Sequence, residues 1–434
     1  MLANHKPNEL FKGQDVVVEE LKIISSTGID FDLRGMYESL NVFDHLFSPF
    51  LIGELLIRDG MNFVQHFPVI GQEKVQITFF TPGLGKNKLA FEVSGISERV
   101  YDPTGKQQIY TLYLSSPERM NNMTTRVSKA YEGTISDMVS KIYEEYILDD
   151  DYPSEFLAET TLHTHKFVIP NKKPIDAIKW LAHRATSQKN PEQANFLFYQ
   201  TLDGFRFLSP STLMNAREVQ EYRYDPPRSA YNSAGQRDVV RELQNIKSHS
   251  VEDSNDRVEQ MKRGMFASKL ITHDLVTQQW NEHTYTYADK FDSIPHIEQH
   301  PLTSRVQTTM NTKDDSVFRF YPKHKGSQNE IDNNDRAEEW VLQRKSLLQQ
   351  LAGMTLSLEL PGDSSRRVGD IVSVKLPTAE PKHDEMKWED QYLSGKYMIS
   401  AIKHTVTKDE YTMKAELIRD SVSKPYPDVK TQML

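Results

Sequence analysis

The chain has 434 residues, a formal net charge of -9 and a pI near 5.9, so it lacks the basic footprint that holds nucleic-acid phosphates tightly. At roughly 100–200 residues per domain, two to four domains and several independent cores are possible, and 38% hydrophobic with 10% aromatic residues argues for folded, aromatic-rich strands against disorder. The absence of Cys excludes disulfides, thiolate metal sites and a cysteine nucleophile.

The start, Met1 to Pro7, lacks the apolar run of a signal peptide, and no stretch approaches about 18 apolar residues, so cytosolic synthesis is expected. The N-terminal part reads as strands: a β-branched run over Asp15 to Ile24, then Phe50 to Asp59, Val75 to Phe79, Leu89/Phe91/Val93 and Tyr110/Leu112/Leu114. Turn signals at Asp59-Gly60, Pro82-Gly83 and Asp102 to Gly105 separate them, a spacing that points to a small barrel or sandwich.

After Ser116-Pro117 the period changes. Ile135, Met138, Val139, Ile142, Tyr143, Tyr146 and Ile147 form one helical stripe, with Thr134 or Ser136 able to cap it. A second helix begins at Pro174, where a missing N–H costs nothing, and buries Ile175, Ile178, Leu181 and Ala185. Asn195 to Phe207 predicts a hairpin of two aromatic strands turning at Asp203-Gly204. The polar stretch Gln236 to Lys262 reads as a surface connection or solvated helix, and Lys323 to Asn334 as a long exposed loop. Strands follow at Lys269 to His273 and His283 to Tyr287. A helix then places Ala337, Trp340, Val341, Leu348 and Leu351 on one face and stops near Gly353. The chain closes with alternation at Leu356/Leu358/Leu360, Val372/Val374/Leu376, Tyr397/Ile399 and Tyr411/Met413/Ala415/Leu417.

Several of these segments carry a family resemblance. Phe47 to Asp59 followed by Phe67 to Glu73 resembles the opening barrel of baseplate hub subunits from T-even-like contractile-tailed phages. Tyr113 to Glu118, Val168 to Asn171, the Phe198 to Phe207 hairpin and Leu393 to Ile399 resemble successive parts of that family in the same order; the stretch 297–335 has no counterpart in it. The resemblance implies a homotrimer in which each subunit gives two similar tube-type β-barrels, so that six barrels surround a channel. It also implies contacts to a hexameric tail-tube protein, a trimeric central spike protein and other baseplate proteins, location in the virion tail, and passage of DNA without specific binding. The two-barrel plan is shared with type VI secretion spike proteins, but no spike extension is evident after Asp420, so a separate spike chain is expected.

The expected fold class is therefore α+β, mainly antiparallel β. Barrel one covers about 1–118, a mixed α/β domain 119–235, barrel two 236–425 with a helix at about 335–352, and a tail 426–434. No catalytic, cofactor-binding or metal residue is assigned, and no cofactor is expected. Each chemical candidate has a blander reading. His163 and His165, two apart in an expected strand, would share a face as metal ligands would. His383-Asp384-Glu385 reads as a solvated loop. Glu144-Glu145 and Asp149 to Asp151 crowd the polar face and end of a helix that should stop near Ile147, because carboxylates there oppose its dipole. Phe196, Phe198, Tyr199, Phe205 and Phe207 could stack bases, yet only Arg206 lies near to hold phosphates, which favours a packed core or subunit contact. Metalloprotease, nucleophile-elbow and phosphate-loop patterns do not occur. A tail-associated cell-wall hydrolase remains the alternative from another class, signalled by a cleft with a raised-pKa Glu; a type VI-like secretion component is a third.

Overall fold

The computed structural model describes residues 10, 12–97, 99–103, 105–191, 194–224, 238–254, 256–275, 277–302, 317–323, 337–378 and 389–426. The first strands are β1 (Val17–Ile24), β2 (Asp30–Asp32), β3 (Tyr37–His45), β4 (Ile52–Asp59), β5 (Lys74–Phe80), β6 (Asn87–Ile96), β7 (Val100–Tyr101) and β8 (Gln108–Ser115). Next come β9 (Val127–Thr134), β10 (Glu155–Ala158), β11 (Thr164–Lys172), β12 (Leu197–Thr201), β13 (Gly204–Leu208), β14 (Glu218–Arg223) and β15 (Ser248–Ser254). The rest are β16 (Ala267–Asp274), β17 (Trp280–Thr286), β18 (His300–Pro301), β19 (Phe318–Lys323), β20 (Met354–Pro361), β21 (Ile371–Lys375), β22 (Gly395–Thr407), β23 (Tyr411–Arg419) and β24 (Ser421–Val422).

The two ends of the chain form one sheet in the order β15-β20-β23-β22-β3-β4-β8-β6-β5-β1-β2, with β14-β21 attached to β22 and β7 to β8. Pairing is antiparallel throughout except β14 with β21. β22 explains the branching: Gly395 to Met398 pair with β21, and Ala401 to Thr407 pair with β3 on the same side. Two halves of this sheet share one connectivity. Numbered one to six in chain order, β1, β3, β4, β5, β6 and β8 follow one another across the sheet as first, fourth, fifth, sixth, third, second, and β14, β15, β20, β21, β22 and β23 follow in the same order, although β1 runs antiparallel to β5 and β14 parallel to β21.

Alternation built these strands as expected: Tyr411, Met413, Ala415 and Leu417 of β23 point inward, as do Leu55 and Ile57 of β4. Their apolar sides merge into one core running from Leu21 to Ile418 rather than one core per end. Each large apolar side chain in it contributes about 1.5–3 kcal/mol by leaving water.

The middle of the chain has a second core, where helices Ile135–Tyr146 and Pro174–Ala182 pack beside β12 and β13. Thr134 caps the first helix, its Oγ1 accepting from Asp137 N at 3.2 Å, and the helix ends with Ile147 as its cap, clear of Asp149. The hairpin turns through Leu202-Asp203 rather than the expected Asp203-Gly204, since Thr201 faces Gly204. Gly204, at φ +129°, meets a tighter demand than the turn alone: β10 lies parallel to β13 there, and a Cβ would sit 2.3 Å from Glu155 O. A third, smaller core joins β16 and β17 to the helix Ala337–Leu351.

Two further expectations are corrected here. The stretch Gln236 to Lys262 holds, among its described residues, helix Val239–Gln244, strand β15 and helix Arg257–Lys262. β15 has a single apolar residue, Val251, so it carries no alternation to read. In Ala337–Leu351 the fully buried stripe is Ala337, Leu342, Ser346, Leu347, Gln350 and Leu351, while Trp340, Val341 and Leu348 are half-buried. The two polar members make hydrogen bonds inside the protein: Ser346 Oγ donates to Met265 O at 2.7 Å and Gln350 Nε2 to Ser346 Oγ at 2.9 Å. Most of the expected loop Lys323 to Asn334, and the tail from 427, lie outside the described residues.

Candidate functional site at the joint of the sheet

The two halves meet where β3 pairs with β22, from His45 opposite Ala401 to Ser39 opposite Thr407. Polar residues cluster beneath this joint. Asp44, 1% exposed, has its carboxyl pushed up to about 8, chiefly by burial; Arg367 and the Val368 N–H pull the other way. His404, fully buried, is lowered to about 3 by burial and then by Arg367, so it is neutral; its Nδ1 lies 2.7 Å from the Tyr411 hydroxyl.

Arg367 pins three parts of the chain together. Its guanidinium donates to both Asp203 oxygens at 2.7 and 2.6 Å, to Asn87 Oδ1 at 2.8 Å and to Ser364 O at 2.8 Å. It therefore ties the hairpin turn of the middle region to the start of β6 and to the loop between β20 and β21, and the hydrogen-bonded ion pair holds the Asp203 carboxyl below its usual range. Ser364 adds a second tie, its Oγ accepting from Thr81 N at 3.0 Å.

A cavity of about 350 Å³ opens between β5 and β6 on one side and Tyr152 to Glu155 and Gln200 to Gly204 on the other. Glu118, buried on its wall, is raised above the usual carboxylate range by burial. Ser154 Oγ donates to it at 2.6 Å, Gln200 Nε2 lies 3.5 Å from it, and Gln200 Oε1 accepts from Leu51 N at 2.9 Å. This is the raised carboxyl in a cleft that a hydrolase would display. The other carboxylates around the cavity are committed to cations: Glu20 to Lys22 at 2.8 Å, Glu155 to Arg206 at 3.3 Å and Asp203 to Arg367. Glu118 is one member of a hydrogen-bonded network that joins Ser154, Gln200 and Leu51.

The residues singled out in the sequence lie elsewhere. His163 precedes β11 rather than sharing a strand face with His165: it has a left-handed φ of 65°, its Nε2 is 3.5 Å from Glu339, and the two rings are 6.4 Å apart edge to face. His165 is buried and stacks on Phe167 at 5.1 Å. Glu145 pairs with Lys129 at 2.8 Å on the surface, Asp151 accepts from Lys74 at 2.6 Å, and Asp149 Oδ1 accepts from the N–H of Asp151 and Tyr152. Phe198 stacks on Phe205 at 5.4 Å and Phe196 on Phe207 at 4.8 Å, all buried, so the aromatic hairpin is core. His383 to Glu385 fall outside the described residues. Sequence reasoning missed Asp44, Glu118, Arg367 and all of β3; a carboxylate's burial and an arginine's distant partners leave no local pattern.

Comparison with solved structures gives the class of fold. The chain is similar to the tail protein from Neisseria meningitidis, with a TM-score of 0.53 at 12% identity, covering 94% of this chain and 98% of that one. It is equally similar, at TM-score 0.53 and 10% identity, to the 43 kDa tail protein of prophage MuSo2 from Shewanella oneidensis, covering 92% and 98%. The fold is thus that of tail proteins. No protein-family model matches the chain. In sequence it is 23% identical over 451 aligned residues to a probable baseplate hub protein of Vibrio phage KVP40, covering 97% of both chains. The resemblance to phage baseplate hub subunits holds over the full length.

Proposed function

We propose that this chain is a structural protomer of the baseplate hub of a contractile phage tail. Three copies form a ring in which each contributes two related sheet units, one about 1–118 and one within 236–425, with the mixed region 119–235 inserted between them. β14, inside that insert in sequence, completes the second unit. The observation that carries this reading is the repeated strand order, with its halves joined edge to edge, in a chain similar along its length to a probable hub protein. Six such units fit a hexameric tail tube on one face, and the threefold fits a trimeric spike on the other. Outward side chains around the joint mix signs, with Lys403, Lys414, Glu54, Glu359 and Glu416 among Thr405 and Thr412. A passage lined this way would let DNA slide, because no run of cations gathers phosphates.

The role is mechanical rather than catalytic. Light scattering on the purified chain and the symmetry of the assembled particle test it: a trimer within a threefold hub is expected, and a chain absent from the hub would sink it. Peptidoglycan cleavage by the purified protein, abolished by Glu118→Gln, would instead establish the hydrolase.

A further inference from the structure

The repeat between the two halves extends to single residues. Val93 N donates to Glu73 O and Ile399 N to Asp370 O, both at 2.9 Å. The β6–β8 ladder bulges between Val93 and Gly95, and the β22–β23 ladder between Ile399 and Ala401. Inside each bulge a serine hydroxyl reaches the opposite carbonyl: Ser94 Oγ to Tyr113 O at 3.1 Å, Ser400 Oγ to Glu416 O at 3.0 Å. Beyond the bulge, Val100 and Tyr101 of β7 face Ile109 and Gln108, as Thr405 and Val406 face Thr412 and Tyr411. β6 and β7 together are therefore the counterpart of the long strand β22, and β15 is the counterpart of β3.

Among the described residues, one contact of the pattern occurs only once. β3 covers the second stretch of β22, with Asn41 opposite Thr405 and Leu40 opposite Val406. Among the described residues nothing pairs with the counterpart places: β15 ends the sheet, and Ser248 to Glu252 are exposed throughout. Val100 and Tyr101, on the stretch that would receive it, are 61% and 62% exposed, and Val251 is 42% exposed where its counterpart Val42 is fully buried. An uncovered edge strand and an uncovered apolar stretch on one surface are normally protected by pairing.

We infer that β15 of one copy pairs antiparallel with β7 and the end of β6 of a second copy, repeating between chains the β3–β22 joint made within each chain. The register follows from the repeat: Ser250 lies opposite Val100, and His249 opposite Tyr101. The contact is head to tail, so it propagates from copy to copy until the ring closes. Closure at three rests on the hub reading above; the pairing itself rests on the repeat.

The chain has no native cysteine, which makes cross-linking selective. Directly opposed residues in an antiparallel pair have Cα atoms roughly 4.5–5.5 Å apart, within disulfide reach. Chains carrying Ser250→Cys, mixed with chains carrying Val100→Cys and oxidised, should give a disulfide dimer, and the double variant should give a closed covalent ring. Ser250→Cys mixed with Asp30→Cys, at the opposite end of the sheet, should give none. All three positions are exposed or on an edge, and circular dichroism of each variant checks that it is folded. Tyr101→Lys should weaken assembly by roughly tenfold or more, by placing a charge in the seam. A trimer by light scattering with no Ser250–Val100 link, or a link to Asp30→Cys instead, overturns the pairing and leaves the hub reading standing. A chain that stays monomeric and unlinked overturns both.

Discussion

Replacing Asp44 with Asn should remove a pH-dependent load from the joint between the two halves. Burial raises the folded carboxyl from its ordinary 3.8 to about 8, so the folded protein holds a proton that the unfolded chain releases. The stability this group allows is full below 3.8 and is lost as pH rises toward 8, the folded state binding more protons over that window. Each pH unit within it is about 1.4 kcal/mol, so from pH 5 to pH 8 the native protein loses up to about 4 kcal/mol that the Asn variant keeps. Packing and hydrogen-bond differences between carboxyl and amide are common to both pH values and cancel in the comparison. Other titrating groups, such as His404, are shared by both proteins. Calorimetric unfolding of the two proteins at both pH values measures the effect: the variant should gain on the native protein by several degrees between pH 5 and pH 8. A gap that does not change with pH, or one that moves against the variant as pH rises, would refute the burial argument.

Arg367→Ala should destabilise by about 1–3 kcal/mol by freeing Asp203 and Asn87 together, and Arg367→Lys should recover only part because an ammonium cannot make the two-pronged contact; denaturant midpoints decide this. Gly204→Ala, with a Cβ against the Glu155 backbone at positive φ, should cost roughly 2–4 kcal/mol, and unchanged stability would contradict the parallel pairing of β10 with β13. Glu118→Gln should be tolerated within about 1 kcal/mol at neutral pH, while Glu118→Ala, which strands Ser154 and Gln200, should cost about 1–3 kcal/mol; equal losses in thermal unfolding would count against this junction network. Glu144→Ala and Glu145→Ala, on an exposed helix face, should each shift stability by less than about 0.5 kcal/mol and leave particle assembly intact.

By itself the sequence determined the elements whose signals are local. Period-two apolar residues marked β4, β5, β8, β20, β21 and β23, the 3.6-residue stripe and Thr134 marked the helix Ile135–Tyr146, and Pro174 marked the start of the next helix. Those signals work because a strand or helix buries one side of itself, and the side shows in the spacing. β3 was invisible for the opposite reason: a bulge between Tyr37 and Ser39 breaks its period, and one of its inward residues is the acid Asp44. β15 was read as surface because neither of its faces is buried within one chain. Only the tertiary structure decided that the two ends share one sheet and one core, that Arg367 and Glu118 sit at its seams, and that strand order repeats. Pairing partners are chosen by backbone hydrogen bonds between residues hundreds of positions apart, and a backbone hydrogen bond leaves no mark on side-chain identity.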